Sequence, residues 1–119
     1  MKQTLIIMSI LSTLFGVRTP QDSPVKLLTS EVFRTQVQVK NVQLVDVRTP
    51  EEYKSGHLKN AINIDFFSGK FDREFNKLNK ENAIYVYCRS GSRSRKTAKK
   101  LAKLGFTEIY DLEGGILKY

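Results

Sequence analysis

The sequence is poor in the side chains that bind metals and form disulfides. Its 119 residues include one cysteine, Cys88, and one histidine, His57. A single thiol excludes an internal disulfide, and it excludes a cysteine-rich zinc site or an iron–sulfur cluster held by this chain alone. One histidine leaves little for a catalytic zinc site built from protein ligands. We therefore expect any chemistry to be carried out by one thiol, carboxylates and cations.

Acidic residues are also scarce, and their absence is local. The chain has 20 Lys and Arg residues against 12 Asp and Glu residues, a formal net charge of +8. No acid lies between Cys88 and Leu104. The cations in this segment are Arg89, Arg93, Arg95, Lys96, Lys99, Lys100 and Lys103. Because the excess charge surrounds the thiol, we expect an anionic ligand near Cys88.

Long apolar runs are missing except near the N-terminus. Residues 5–17 form an uncharged, mainly apolar run of 13 residues behind a short basic leader. Such a run is short for a membrane span and typical of the apolar part of a signal peptide. We predict a signal peptide at residues 1–17, a polar linker at 18–24 and one domain at 25–119. The domain is then periplasmic or secreted, or membrane-anchored if the signal is not cleaved.

After the linker, strand patterns alternate with helix patterns at short intervals. Strands are predicted at 25–28, 43–47, 61–64, 83–87 and 108–112. Helices are predicted from residue 29 or 30 to about 37, from a capping box at 49–52, over 72–78, and over 92–104 before a stop at Gly105. Helices between successive strands imply crossover connections. The sequence therefore predicts an α/β fold with a mainly parallel sheet and helices on both faces.

The cysteine loop (residues 88–94, CRSGSRS) joins the most apolar strand to the following helix. A loop after a parallel strand opens at the carboxyl edge of the sheet, where ligands bind. Gly91 allows the backbone to curl, so that its N–H groups and the helix N-terminus point at a bound anion. This arrangement would stabilise a Cys88 thiolate. The alternative is a small buried cysteine of no chemical role, which would not need polar and basic neighbours.

Three motifs together resemble those of single-domain rhodaneses, a thiosulfate sulfurtransferase-like family. They are LVDVRTPEEYKSGHLKNAINID at 44–65, IYVYCRSGSRS at 84–94 and YDLEGGI at 110–116. The resemblance runs from about residue 25 to the C-terminus and implies a three-layer sandwich around a five-stranded, mainly parallel sheet. One departure is Tyr119, which occupies a position where the family often has tryptophan. This departure concerns the last helix and not the cysteine loop.

The resemblance also implies a reaction that needs no metal and no organic cofactor. Cys88 would attack the outer sulfur of thiosulfate, release sulfite and keep the outer sulfur as a persulfide. Cyanide or a thiol would then take that sulfur and free Cys88. The loop would bind the anionic donor through Arg89, Ser90, Gly91, Ser92, Arg93 and Ser94. We expect Arg93 to hold the sulfonate oxygens. The expected partners are a small anionic sulfur donor and a thiol acceptor or small thiol carrier protein, with no nucleic acid, and the chain is expected to be a monomer.

Two other functions remain open for the same loop. One is a persulfide carrier or binding module that presents Cys88 to a partner without turnover. The other is a cysteine phosphatase or arsenate reductase, whose loop has five residues between cysteine and arginine. Here four residues separate Cys88 from Arg93. The shorter ring suits a sulfur atom better than a phosphate.

Outside the loop, a structural role is the first interpretation for most polar residues. We predict that His57 belongs to a turn. The alternative is that His57 acts as a general base for Cys88. Asp46 and Arg48 are expected to anchor the end of a strand. The lysines that follow the loop share one helical stripe, which is either a solvated face or a docking surface for an acidic carrier protein. They are Lys96, Lys99, Lys100 and Lys103.

Overall fold

The computed structural model describes residues 23–39 and 41–119. The predicted signal peptide, and the predicted linker up to residue 22, lie outside the described residues. Within the described part, no helix combines the length and apolar character needed to cross a membrane.

Five short strands form one sheet. They are β1 (Val25–Leu28), β2 (Gln43–Asp46), β3 (Ile62–Asn63), β4 (Ile84–Tyr87) and β5 (Ile109–Leu112). Their order across the sheet is β1-β5-β4-β2-β3, and every pair is parallel. The predicted α/β fold with a five-stranded sheet is confirmed. The sheet is parallel throughout because each strand reaches its neighbour through a crossover on one of the faces.

Helices occupy the connections between the strands. They are α1 (Ser30–Val39), α2 (Pro50–Lys54), α3 (Phe71–Phe75), α4 (Ser92–Leu104) and a final 3-10 turn (Ile116–Lys118). The predicted capping box is present at α2, where the Thr49 side chain accepts from Glu52 N and the Glu52 carboxylate accepts from Thr49 N. Helix α3 is shorter than predicted. It ends at Phe75, and the residues that follow form i to i+3 hydrogen bonds, such as the bond from Leu78 N to Phe75 O at 3.0 Å.

The central strand β4 supplies both halves of the core. Its successive side chains point to opposite faces, as they do in any strand. Ile84 and Val86 pack in one buried cluster with side chains of α3 and α4, and Cys88 belongs to that cluster. Tyr85 and Tyr87 pack in the other cluster, against α1. The fold therefore delivers Cys88 from the middle of the sheet, at its carboxyl edge.

Candidate active site

The Cys88 sulfur lies in a cradle of hydrogen-bond donors. Its side chain is buried, with 1% of the residue exposed. Gly91 N lies 3.1 Å from Sγ and Ser94 N lies 3.3 Å from it, and both N–H groups donate to the sulfur. The Ser94 hydroxyl oxygen is 3.5 Å from Sγ. The backbone N–H groups of the loop therefore point inward at the sulfur, which is the loop geometry that the sequence predicted.

Gly91 explains how the loop curls into this shape. Its φ of 108° is left-handed, a region that glycine enters at little cost, and it is the N-cap of α4. Gly91 has no side chain to cap the helix, so the first-turn N–H of Ser94 is free to donate to Sγ. The glycine that the sequence singled out is therefore required by the backbone conformation.

The segment after β5 supports the loop from its far side. Ile116 N donates to the Cys88 carbonyl at 2.9 Å, and Leu117 N donates to the Arg89 carbonyl at 3.1 Å. Gly115 packs directly against the loop backbone. A Cβ at this position would lie 2.6 Å from Ser90 N and would also clash with the Arg89 carbonyl. The GGI motif was noticed in the sequence, but this supporting role was not predicted.

Arg93 is joined to Glu52, a residue that sequence reasoning assigned only to the capping box. The two guanidinium nitrogens donate to the two Glu52 oxygens at 2.7 and 3.0 Å. This bond, with help from Thr49, lowers the pKa of Glu52 to about 2 against the cost of burial, and Glu52 in turn raises the pKa of Arg93. The ion pair ties the cysteine loop to the start of α2. No sequence pattern links these two positions, because 41 residues separate them.

The remaining loop residues divide by exposure. Arg89, Ser90 and Ser92 are exposed, whereas Ser94 is fully buried beside the sulfur. The loop therefore presents three side chains to solvent. Ser94 is turned inward, where it contacts the sulfur instead.

Asp46 and Arg48 form a buried pair at the end of β2. Arg48 Nη2 lies 2.6 Å from Asp46 Oδ2 and donates to the Gly56 carbonyl at 2.6 Å. Hydrogen bonding to Asp46 raises the pKa of Arg48. The pair holds the strand end and the following turn, which is the role predicted for it. His57 lies in the same turn, stacked on the Tyr53 ring at 3.7 Å, with Nδ1 2.8 Å from the Tyr53 carbonyl.

Asp111 of β5 is a buried acid near the site that sequence reasoning missed. It is 2% exposed, and burial raises its pKa to about 6. The Ser94 side chain and, more weakly, Arg95 oppose that shift. Alternation along β5 predicts only that residue 111 shares a face with Ile109, so its proximity to Ser94 required the tertiary structure. Across the described residues, no three His, Cys, Asp or Glu side chains are grouped as a metal site requires.

Fold and site together define a class of protein: a parallel α/β domain whose central strand ends in a cysteine held by loop amides. A family model described as Rhodanese-like domain matches residues 29–119. The chain therefore belongs to the rhodanese-like domain family, whose fold is related to sulfur transfer. The resemblance predicted from the three motifs is confirmed.

Relatives match this chain over different shares of their own length. The chain is 37% identical over 99 residues to YqhL of Bacillus subtilis, covering 83% of this chain and 75% of that protein. It is 36% identical over 96 residues to a tRNA uridine(34) hydroxylase of Aster yellows witches'-broom phytoplasma, covering 77% of this chain and 31% of the hydroxylase. It is 30% identical over 95 residues to the putative sulfur carrier protein YrkF of Bacillus subtilis, covering 79% and 50%.

A solved structure has the same fold. The rhodanese-like domain protein from Staphylococcus aureus superposes with a TM-score of 0.70 and is 32% identical, covering 78% of this chain and 89% of that one. Family membership therefore supports sulfur transfer or a related enzymatic activity.

Proposed function

We propose that the protein is a sulfurtransferase that moves the sulfane sulfur of thiosulfate, or of a related persulfide, through a Cys88 persulfide. The observation that carries the proposal is the pair of backbone N–H groups, from Gly91 and Ser94, that donate to Cys88 Sγ at 3.1 and 3.3 Å. Amides at fixed positions stabilise an anion without reorganising, which is what a sulfur nucleophile and leaving group both need.

The reaction follows from this cradle in two steps. The Cys88 thiolate attacks the outer sulfur of thiosulfate, the S–S bond of the donor breaks, and sulfite leaves with the electron pair. In the second step cyanide or a thiolate attacks the outer sulfur of the persulfide, and the electron pair of that S–S bond returns to Cys88. The loop amides stabilise Sγ as it regains the charge, so one set of donors serves both steps. Loop residues Arg89, Ser90, Ser92 and Arg93 would attract the doubly charged donor.

Two features of the loop favour sulfur over phosphate. Only four residues separate Cys88 from Arg93, so the ring is narrow. The side chain of the next residue, Ser94, occupies the interior of the ring beside Sγ. A phosphate would need that space for its tetrahedral oxygens, whereas one added sulfur atom extends from Sγ alone.

Intact mass spectrometry tests the proposal. Thiosulfate should add one sulfur atom to the wild-type protein, and cyanide should then remove it as thiocyanate. The Cys88→Ser variant should show neither change. Loading followed by a single discharge, without turnover, would identify a persulfide carrier. No gain in mass, together with hydrolysis of an aryl phosphate, would replace the proposal with a phosphatase.

A further inference from the structure

The two most exposed large apolar side chains of the described residues both border the cysteine loop. Phe67 is 68% exposed and Leu117 is 60% exposed. Single exposed apolar side chains are common on protein surfaces, and those of Leu27, Val32 and Ile62 are of that kind. Two beside one loop form a patch that a partner can cover, which removes apolar surface from water.

Strand order places these two side chains on opposite sides of the loop. The loop follows β4, which lies between β5 and β2 in the sheet. Leu117 belongs to the segment after β5, and its N–H donates to the Arg89 carbonyl at 3.1 Å. Phe67 belongs to the segment after β3, on the β2 side, and its ring centre lies 5.7 Å from the Arg93 guanidinium carbon. Cys88 therefore lies between the two apolar side chains at the carboxyl edge of the sheet.

Contacts with the body of the protein hold Phe67 in this position. Its N–H donates to Asp65 Oδ1 at 2.9 Å, and the Phe66 ring meets its ring edge-on with the centres 5.3 Å apart. Phe66 in turn packs against the core cluster that includes Cys88. A side chain that is already held loses little conformational freedom when a partner covers it, so more of the contact energy contributes to binding.

The charges around the loop are mainly positive. Arg93 is paired with Glu52, so this acid does not offset the other cations. Glu113 is the exposed acid in the segment after β5. The exposed cations in the loop, in the first turn of α4 and next to Leu117 are Arg89, Arg95, Lys96 and Lys118. Such a field attracts an acidic partner and repels a basic one.

We propose that Phe67 and Leu117 are acceptor-specificity residues that dock an acidic protein segment carrying a cysteine between apolar side chains. Cys88 is 1% exposed, so a protein thiol reaches its sulfur only by lying over the cysteine loop, against these two side chains. Apolar anchors within a polar, charged rim are the usual arrangement of a protein interface. Cyanide and small thiols enter without covering the anchors. The proposal rests on the proposed function, since it names the kind of acceptor that takes the persulfide sulfur.

Thiol–disulfide exchange tests this surface without a sulfur donor. The probe is a synthetic peptide whose single cysteine is flanked by leucines and glutamates and is activated as a pyridyl disulfide. The Cys88 thiolate attacks the peptide sulfur and forms a disulfide with it, and pyridinethione leaves with the electron pair of the broken S–S bond. The absorbance of pyridinethione gives the rate, which reports Cys88 alone because the chain has one thiol. Each rate constant is divided by that for dipyridyl disulfide, a small reagent with the same leaving group, so that changes in the thiol itself cancel.

This ratio should depend on both the peptide and the surface. For the wild type it should be about fivefold or more higher with glutamates in the peptide than with lysines in their place, and the preference should shrink at high salt. Phe67→Ser and Leu117→Ser should each lower the ratio for the glutamate peptide by about fivefold or more, the loss expected when an apolar anchor is truncated. Ile62→Ser is the matched control, since it removes an exposed apolar side chain from the edge strand β3 and should keep the wild-type ratio.

Three results would overturn the proposal. A wild-type ratio in Phe67→Ser or in Leu117→Ser would remove the docking role of that residue. An equal fall in Ile62→Ser would show that the loss is not specific to the loop, and equal rates for the two peptides would exclude an acidic partner. Sulfur loading by thiosulfate is measured separately by intact mass, so its failure would overturn the sulfurtransferase proposal whatever the exchange rates are.

Discussion

At the residue scale, the site depends on how backbone donors and a few buried side chains surround one sulfur atom. Cys88 is 1% exposed, yet two N–H groups and a hydroxyl lie within hydrogen-bond distance of Sγ. The charged neighbour Arg93 is itself held by Glu52.

Substitutions of Arg93 and of its partner Glu52 distinguish a role in binding the sulfur donor from a role in anchoring the cysteine loop. Arg93→Ala should slow loading from thiosulfate by roughly 10- to 150-fold, because a charge-assisted hydrogen bond is worth about 1.5–3 kcal/mol. Discharge to an uncharged thiol should suffer less, since sulfite has already left. Glu52→Gln keeps the guanidinium and weakens its anchor. It should therefore slow loading and discharge by similar factors, both smaller than the loss of loading in Arg93→Ala. Stopped-flow rates for each half measure this.

Equal losses in both halves for Arg93→Ala, matched by Glu52→Gln, would contradict donor contact. Arg93 would then serve only to hold the cysteine loop against α2.

Asp111 should make stability depend on pH. Its pKa is about 6 in the folded protein against a usual value of 3.8. A carboxyl whose pKa is raised on folding contributes stability below its unfolded pKa, and that contribution is lost as pH rises through the folded one. Asp111→Asn should therefore be more stable than the wild type at about pH 8, by up to about 3 kcal/mol, and the difference should fall to roughly 0.5 kcal/mol near pH 4. Urea unfolding at both pH values measures it, and a constant difference would show that Asp111 stays ionised in the fold.

At the element scale, the cysteine loop is held between α4 and the segment that follows β5. Helix α4 supplies Ser94 N, and the 3-10 turn supplies the N–H groups of Ile116 and Leu117 to the loop carbonyls. All four lysines of the stripe on α4 are exposed, and Lys100 also contacts Asp72 at 3.5 Å and the Phe71 ring at 4.1 Å. The loop conformation therefore depends on contacts from both sides.

Adjacent glycines test the support from the C-terminal segment. Gly114 and Gly115 have similar left-handed φ angles, 76° and 68°. A Cβ on Gly114 meets only the flexible Lys118 side chain, whereas one on Gly115 meets loop backbone. Gly114→Ala should cost about 1–2 kcal/mol from backbone strain. Gly115→Ala should cost about 1–3 kcal/mol more, because overpacking adds to the strain, and it should slow alkylation of Cys88. Chemical denaturation measures the loss of stability in each variant. Equal losses for the two variants would show that the loop backbone shifts easily to accommodate the added Cβ.

At the scale of the whole molecule, the order of strands determines where Cys88 lies. Strand β4 has neighbours on both sides, so the loop after it opens at the middle of the carboxyl edge. Helices on both faces bury the sheet, and together they hold the loop that carries Cys88 on a rigid base.

We propose export of the chain, on the basis of the apolar run at residues 5–17 behind a basic leader. The mature protein should begin at or shortly after residue 17 and be found outside the cytoplasm. N-terminal sequencing of fractionated cells measures both. An intact Met1 in the cytoplasmic fraction would contradict export, whereas an intact Met1 in the membrane fraction would indicate a retained anchor.

Local features of the sequence were enough to predict the elements and the place of Cys88 in the loop after β4. These features act over a few residues, so they can be recognised without knowledge of the fold. They are the alternating strand and helix patterns, the capping box at Thr49 and the helix stop at Gly105. The same holds for Cys88 and Gly91, since a strand, a thiol, a glycine and a helix start are contiguous in the chain.

Only the tertiary structure decided which distant residues meet this loop. Glu52 reaches Arg93 and Gly115 reaches the loop backbone because parallel strands bring their carboxyl ends to one edge. Such contacts depend on strand order and on helix placement, which arise from packing the whole core. A sequence pattern records which residues suit a strand or a helix, whereas the partners of a side chain follow from how those elements pack together.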